Sequence, residues 1–155
     1  MDAGEIGRQT AAALHAAAIG RGANPWEPYA LAVAEAKHQG LRVNACAPGS
    51  HVLDGGRATY DPEDRLIIHE DAGSAFDQAF LVAHEIGHVV LGDDPDEAIV
   101  NTFEPARVAE AVAGGLDEGL ADYGRRQRRE VQMDLFAREL LLPRGWRAGC
   151  SSRTA

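Results

Sequence analysis

Apolar residues recur at helical spacing towards both ends of the chain and at strand-like spacing between them, predicting an α+β domain. A first helix is expected over roughly 2–19, ending near Gly20 and Gly22. Asn24-Pro25 marks a turn, and a second helix is expected over 28–39, with Gly40 as its stop. Short β-like runs follow: Leu41–Val43, then His51–Leu53 and Arg57–Tyr60 flanking the turn signal Asp54-Gly55-Gly56. Leu66–His69, after Asp61-Pro62, is the best strand in the chain. Ser74 and Asp77 have capping-box spacing and open a third helix over Ala75–Leu91, closed by Gly92. Residues 93–124 contain several prolines and glycines and predict loops with one or two short helices. A last helix over 125–142 ends at Pro143. The expected organisation is an N-terminal helical segment (1–40) packed on a core (41–143), with 144–155 as a tail or the start of a linker.

Composition narrows the class. The 155 residues are 45% apolar and 25% charged, enough for one soluble domain with a real core. No run of eighteen apolar residues is present, so no membrane span is expected. The alanine-rich stretch Ala11–Ile19 follows Asp2, Glu5 and Arg8 and is interrupted by His15, unlike a signal peptide. Two cysteines, Cys46 and Cys150, are too few for a disulfide scaffold and fit a reducing, cytoplasmic setting. A net charge of -9 would repel a phosphate backbone, so direct nucleic-acid binding is not expected. The run Arg125–Arg129 is read as a solvated, salt-bridged helix face.

The third helix is apolar on nearly every side and yet contains His84, Glu85 and His88. Histidines four apart project from one face on adjacent turns, so both imidazoles can bind one zinc at about 2.0–2.1 Å. Zinc lowers the pKa of a bound water to about 7, and a glutamate beside the first ligand is placed to take its proton. His84-Glu85-Ile86-Gly87-His88 therefore supplies two metal ligands and a general base in five residues. Two histidines satisfied within a core would not explain the glutamate between them.

A catalytic zinc needs a third protein ligand and an open position. Two downstream pairs have suitable spacing, Glu118…Asp122 and Glu130…Asp134. Glu130 and Asp134 share a helical stripe with Met133, Ala137 and Leu141, which otherwise belongs to the core, and a buried carboxylate needs a cation or hydrogen bonds. Glu118 and Asp122 share theirs with Arg125, Arg126 and Arg129, and Gly119 weakens a helix there. Glu130 is the favoured ligand, and Asp134 the residue that orients a ligand histidine.

The block His84–Gly92, followed by Glu130–Pro143, resembles the ImmA/IrrE metallopeptidases, which pair an HExGH helix with a later E-x-x-A-(N/D)-x-F-A-x-x-L-L-x-P helix. Met133 stands where that pattern usually has alanine. The resemblance implies a reduced zincin-like fold with a small, mostly antiparallel sheet, Zn2+ as cofactor and Glu130 as third ligand. It also implies a zinc-dependent endopeptidase acting on a protein partner such as a transcriptional repressor in a stress response. No helix-turn-helix is apparent in the chain. Zincins hold substrate as an extended segment against a sheet edge, for which Leu66–His69 is the expected strand. His69, Tyr60 and Tyr123 are candidate oxyanion or substrate contacts. The alternative function is a zinc-binding interaction or sensing module of a larger protein, with little protease activity.

Overall fold

The computed structural model describes residues 3–92 and 116–144; at residues 3, 116–123 and 125 only the backbone is described. Among the described residues, four helices and a small mixed sheet form the α+β, zincin-like architecture expected: α1 (Ala3–Gly20), α2 (Pro28–His38), β1 (Arg42–Cys46), β2 (Ala58–Asp61), β3 (Leu66–Glu70), α3 (Ala75–Leu91) and α4 (Leu116–Leu141). Among the described residues, no helix is long and apolar enough to cross a membrane.

Helix boundaries follow local chemistry. Pro28 opens α2, where its missing N–H costs no hydrogen bond. At the other end Gly40 takes φ +78°, and the Gly40 and Leu41 amides donate to the Lys37 and Ala36 carbonyls at 2.9 and 2.8 Å. That pairing is a Schellman motif, which satisfies carbonyls the helix leaves open and turns the chain into β1. Glu35, wholly buried on α2, accepts from Arg21 Nη2 and Gln39 Nε2, each at 2.9 Å, so its charge is paired where α1 and α2 join.

The capping box of α3 is formed in both directions. Ser74 Oγ accepts from the Asp77 amide at 3.1 Å, and Asp77 Oδ2 accepts from the Ser74 amide at 2.9 Å. The bonds to Ser74, from its backbone and then its side chain, hold the Asp77 carboxyl below its ordinary range. Ser74→Ala should cost about 1 kcal/mol, seen as a melting temperature lowered by roughly 2–4 °C. An unchanged melting temperature would show that tertiary packing alone fixes this helix start.

The sheet order is β1-β3-β2, with β3 parallel to β1 and antiparallel to β2. Two expectations change here. Leu66–His69 is the central strand, paired on both sides, and so offers no edge to a substrate. The sheet is also mixed, because the chain leaving β1 passes through β2 before returning as β3. His51–Leu53 is a 3-10 turn and not a strand. Local bonds hold it, from the Leu53 amide to Ser50 O and from the Asp54 amide to His51 O, both 3.1 Å, with Leu53 fully buried.

The helices cover one face of the sheet. α3 packs against β3 and β2, α2 against β1 and α3, and α1 and α3 both lie on α4. Leu31, Ile67, Val82, Ile86, Phe136 and Leu140 make up much of the common core. His15, buried on α1, donates through Nδ1–H to the Leu140 carbonyl at 2.7 Å, which satisfies an acceptor left open at the end of α4. The last helix begins at Leu116, well before residue 125, so both Glu-x-x-x-Asp pairs lie on it. On the arginine run, Gln127 and Arg128 are exposed, while Arg126 and Arg129 are half-buried. The expected loops over 93–115, and nearly all of the tail with Cys150, lie outside the described residues.

Candidate metal centre

The helical repeat of α3 puts His84 and His88 on one face, turned towards α4, and both are almost completely buried. Glu130, buried on α4, reaches across to them. Its Oε2 lies 2.7 Å from His84 Nε2 and its Oε1 lies 3.3 Å from His88 Nε2. The two histidine Nε2 atoms are 3.3 Å apart. One ligand atom from each of the three residues lies within 4.8 Å of the others.

These separations fit a metal. Bonds of about 2.0–2.1 Å to one tetrahedral zinc put neighbouring ligand atoms about 3.3–3.4 Å apart, matching two of the three distances. Glu130 Oε1 is moreover buried without a hydrogen bond. A carboxylate oxygen in that position invites a cation. A His-His-Glu donor set suits zinc, though the arrangement alone establishes only that a metal ion can be held.

Asp134, one turn beyond Glu130, accepts from His84 Nδ1–H at 2.8 Å. That bond fixes the ring orientation and leaves Nε2 facing Glu130 and His88. Glu85, 1% exposed, sits beside His84, and its charge reaches the imidazole. His84, Glu85, His88 and Glu130 form a buried polar cluster between α3 and α4, with the exposed Asp134 at its edge.

With only protein neighbours, the His84 pKa is set by opposed effects. Burial is the largest and pushes it down, but hydrogen bonds to Asp134 and Glu130 and the charges of Glu85 and Glu130 together raise it from 6.5 to about 9. Burial likewise pushes Glu130 up, and the two histidines more than offset this, leaving it below its ordinary value. Metal must therefore displace a proton from His84 near neutral pH. Calorimetric titration with zinc at pH 7, in buffers of different ionisation enthalpy, should show proton release as metal binds. Apparent affinity should rise with pH up to about 9; an enthalpy independent of buffer would contradict this. In chelated protein, the raised His84 pKa contributes stability that is fully present below 6.5 and lost as pH rises through about 9.

The remaining candidates are placed differently. His69 is fully buried with both ring nitrogens engaged: Nδ1–H donates to the Glu70 carbonyl and Nε2 accepts from Tyr29 O–H, each at 2.8 Å. It is a core histidine whose ring nitrogens are both occupied within the fold. Tyr29, its partner on α2, is raised above its ordinary pKa by burial; the sequence held no spacing signal that joins the two. Tyr60 packs against the core cluster from β2. The side chains of Tyr123, Glu118 and Asp122 lie outside the described residues.

Gly87 was legible in the motif, but its task was not. A Cβ built there would lie 3.0 Å from Met133 Sδ and 3.0 Å from Phe136 Cδ1. Glycine inside a helix costs roughly 1 kcal/mol relative to alanine, a signal that close packing demands it.

No curated protein matches the chain. The model of the peptidase M78 family, described as the IrrE N-terminal-like domain, matches residues 36–145, well over half of the 155-residue chain. That span holds the whole sheet, α3 and α4, and with them His84, Glu85, His88 and Glu130. On this match the chain belongs to the peptidase M78 family, and the buried donor set joining α3 to α4 is the candidate metal centre of a metallopeptidase.

Proposed function

We propose that the protein is a zinc-dependent endopeptidase that cuts a peptide bond in a specific protein partner. The observation that supports this best is the meeting of His84, His88 and Glu130 with Glu85 buried on the same helical turn. A purely structural metal would need no base beside its first ligand.

His84, His88 and Glu130 hold the ion, and Asp134 keeps the His84 ring in register through Nδ1. Zinc in that position supplies Lewis acidity towards water and the scissile carbonyl. Glu85 takes the proton from the attacking water and passes it to the departing amine nitrogen.

The substrate lies extended along β2, the edge strand on the α3 side of the sheet. The Glu70 amide donates to the Arg57 carbonyl at 2.8 Å, and the antiparallel register then turns the backbone groups of Ala58 and Tyr60 away from β3. Those free groups can pair with an incoming strand. The likeness to ImmA/IrrE proteins favours a transcriptional repressor as partner, and the net charge of -9 favours a protein surface over nucleic acid.

The test is metal content of purified protein together with cleavage of candidate repressors, before chelation, after it and after zinc is restored. Cleavage that vanishes on chelation and returns with zinc is expected. Failure to bind zinc on resupply would overturn the reading.

A further inference from the structure

We propose that Met133 is a positioning residue for the metal centre: seated against Gly87, it sets the separation of α3 and α4 that brings Glu130 to the two histidines. The proposal rests on the metal reading above. It concerns a side chain that touches none of the reacting atoms and that departs from the alanine usual in the resembling pattern.

Gly87 lies between the two ligands of α3, three residues after His84 and one before His88. Met133 lies three residues after Glu130 and one before Asp134 on α4. Each helix thus presents its packing residue inside the interval that bears its donor and donor-orienting groups. A Cβ at Gly87 would be 3.0 Å from Met133 Sδ, tighter than most real Cβ contacts, so the methionine would have to give by a few tenths of an ångström. The same Cβ would lie 3.0 Å from Phe136 Cδ1 and 3.3 Å from Phe136 Cγ, so Phe136 bounds the slot with Met133. Met133 is 1% exposed, so its side chain is enclosed within the protein.

An unbranched thioether can follow an irregular slot, and an apolar side chain of similar volume fills it nearly as well. Truncation to alanine leaves a void over Gly87, which the helices relieve only in part. The donor atoms depend on that crossing, since His84 and His88 come from one helix and Glu130 from the other. Metal sites tolerate displacements of only about 0.5 Å. Loss of the methionine should therefore weaken metal binding more than it weakens the fold.

The test compares zinc affinity, by chelator competition, and thermal melting for wild type, Met133→Leu, Met133→Ala, Gly87→Ala and the Gly87→Ala/Met133→Ala pair. Met133→Ala and Gly87→Ala should each weaken zinc binding by about tenfold or more, on the scale of lost outer-shell support. Met133→Leu, close in volume, should stay within about threefold of wild type. The double variant should recover part of the loss, because the new methyl occupies space the sulfur has left. Melting measured in chelator separates this effect from general destabilisation. Met133→Ala with wild-type affinity, or a double variant no better than the worse single, overturns the proposal while leaving the zinc site standing. Wild-type protein that takes up no zinc overturns both.

Discussion

Glu85→Gln will retain one zinc per chain and lose cleavage of the protein partner by about 10²–10⁴-fold, the usual contribution of a positioned general base. Glutamine matches the shape of the 1% exposed Glu85, so the surrounding apolar helix need not repack. It cannot accept a proton from water or deliver one to the leaving amine. The residues that could hold the ion, His84, His88 and Glu130, are not altered. Metal analysis and cleavage must be read on the same preparation. Full cleavage by a zinc-loaded Glu85→Gln would sink the assigned mechanism, and loss of zinc would show that Glu85 helps to hold the ion.

The second large effect is on the metal. Glu130→Ala removes the one ligand that α4 contributes among the described residues, leaving two histidines on one helix. Its loss should exceed the 10–100-fold typical of outer-shell residues. At a zinc concentration near 100 times the wild-type Kd, the metal stabilises wild type by about 2.7 kcal/mol, or roughly 5–10 °C in melting temperature. A 100-fold weaker site would gain only about 0.4 kcal/mol at that concentration. Glu118→Ala, the matched control on the same helix, should keep the full shift. If zinc is lost from Glu118→Ala and kept by Glu130→Ala, the third ligand has been misassigned.

Legibility differed between the site and the surface around it. The α3 boundaries were readable because Ser74, Asp77 and Gly92 end the helix by local hydrogen bonds and turn conformation. Glu130 was readable because helical periodicity put a carboxylate on a stripe otherwise apolar, and burial makes such a residue need a partner. His69 misled because an isolated histidine before an active-site helix gives no sign of its neighbours. Its partner Tyr29 is forty residues away on α2. His51–Leu53 misled because a short run around Val52 beside a Gly-Gly turn read equally well as a hairpin arm. The burial of Leu53 and two local amide bonds settle it as a 3-10 turn.

By itself the sequence determined whatever depends on neighbours within a turn or two: helix ends, the pairing of His84 with His88, and the glutamate between them. Only the tertiary structure decided which strand is central and which is an edge. Strand order depends on long-range pairing, and no residue of Leu66–Glu70 declares that β1 will lie parallel beside it. The close approach of α3 and α4 is of the same kind. Gly87 and Met133 are forty-six residues apart in the chain, and their contact exists only where two helices cross. That crossing brings Glu130 to the histidines, because a metal centre with ligands from two elements is complete only once both have packed.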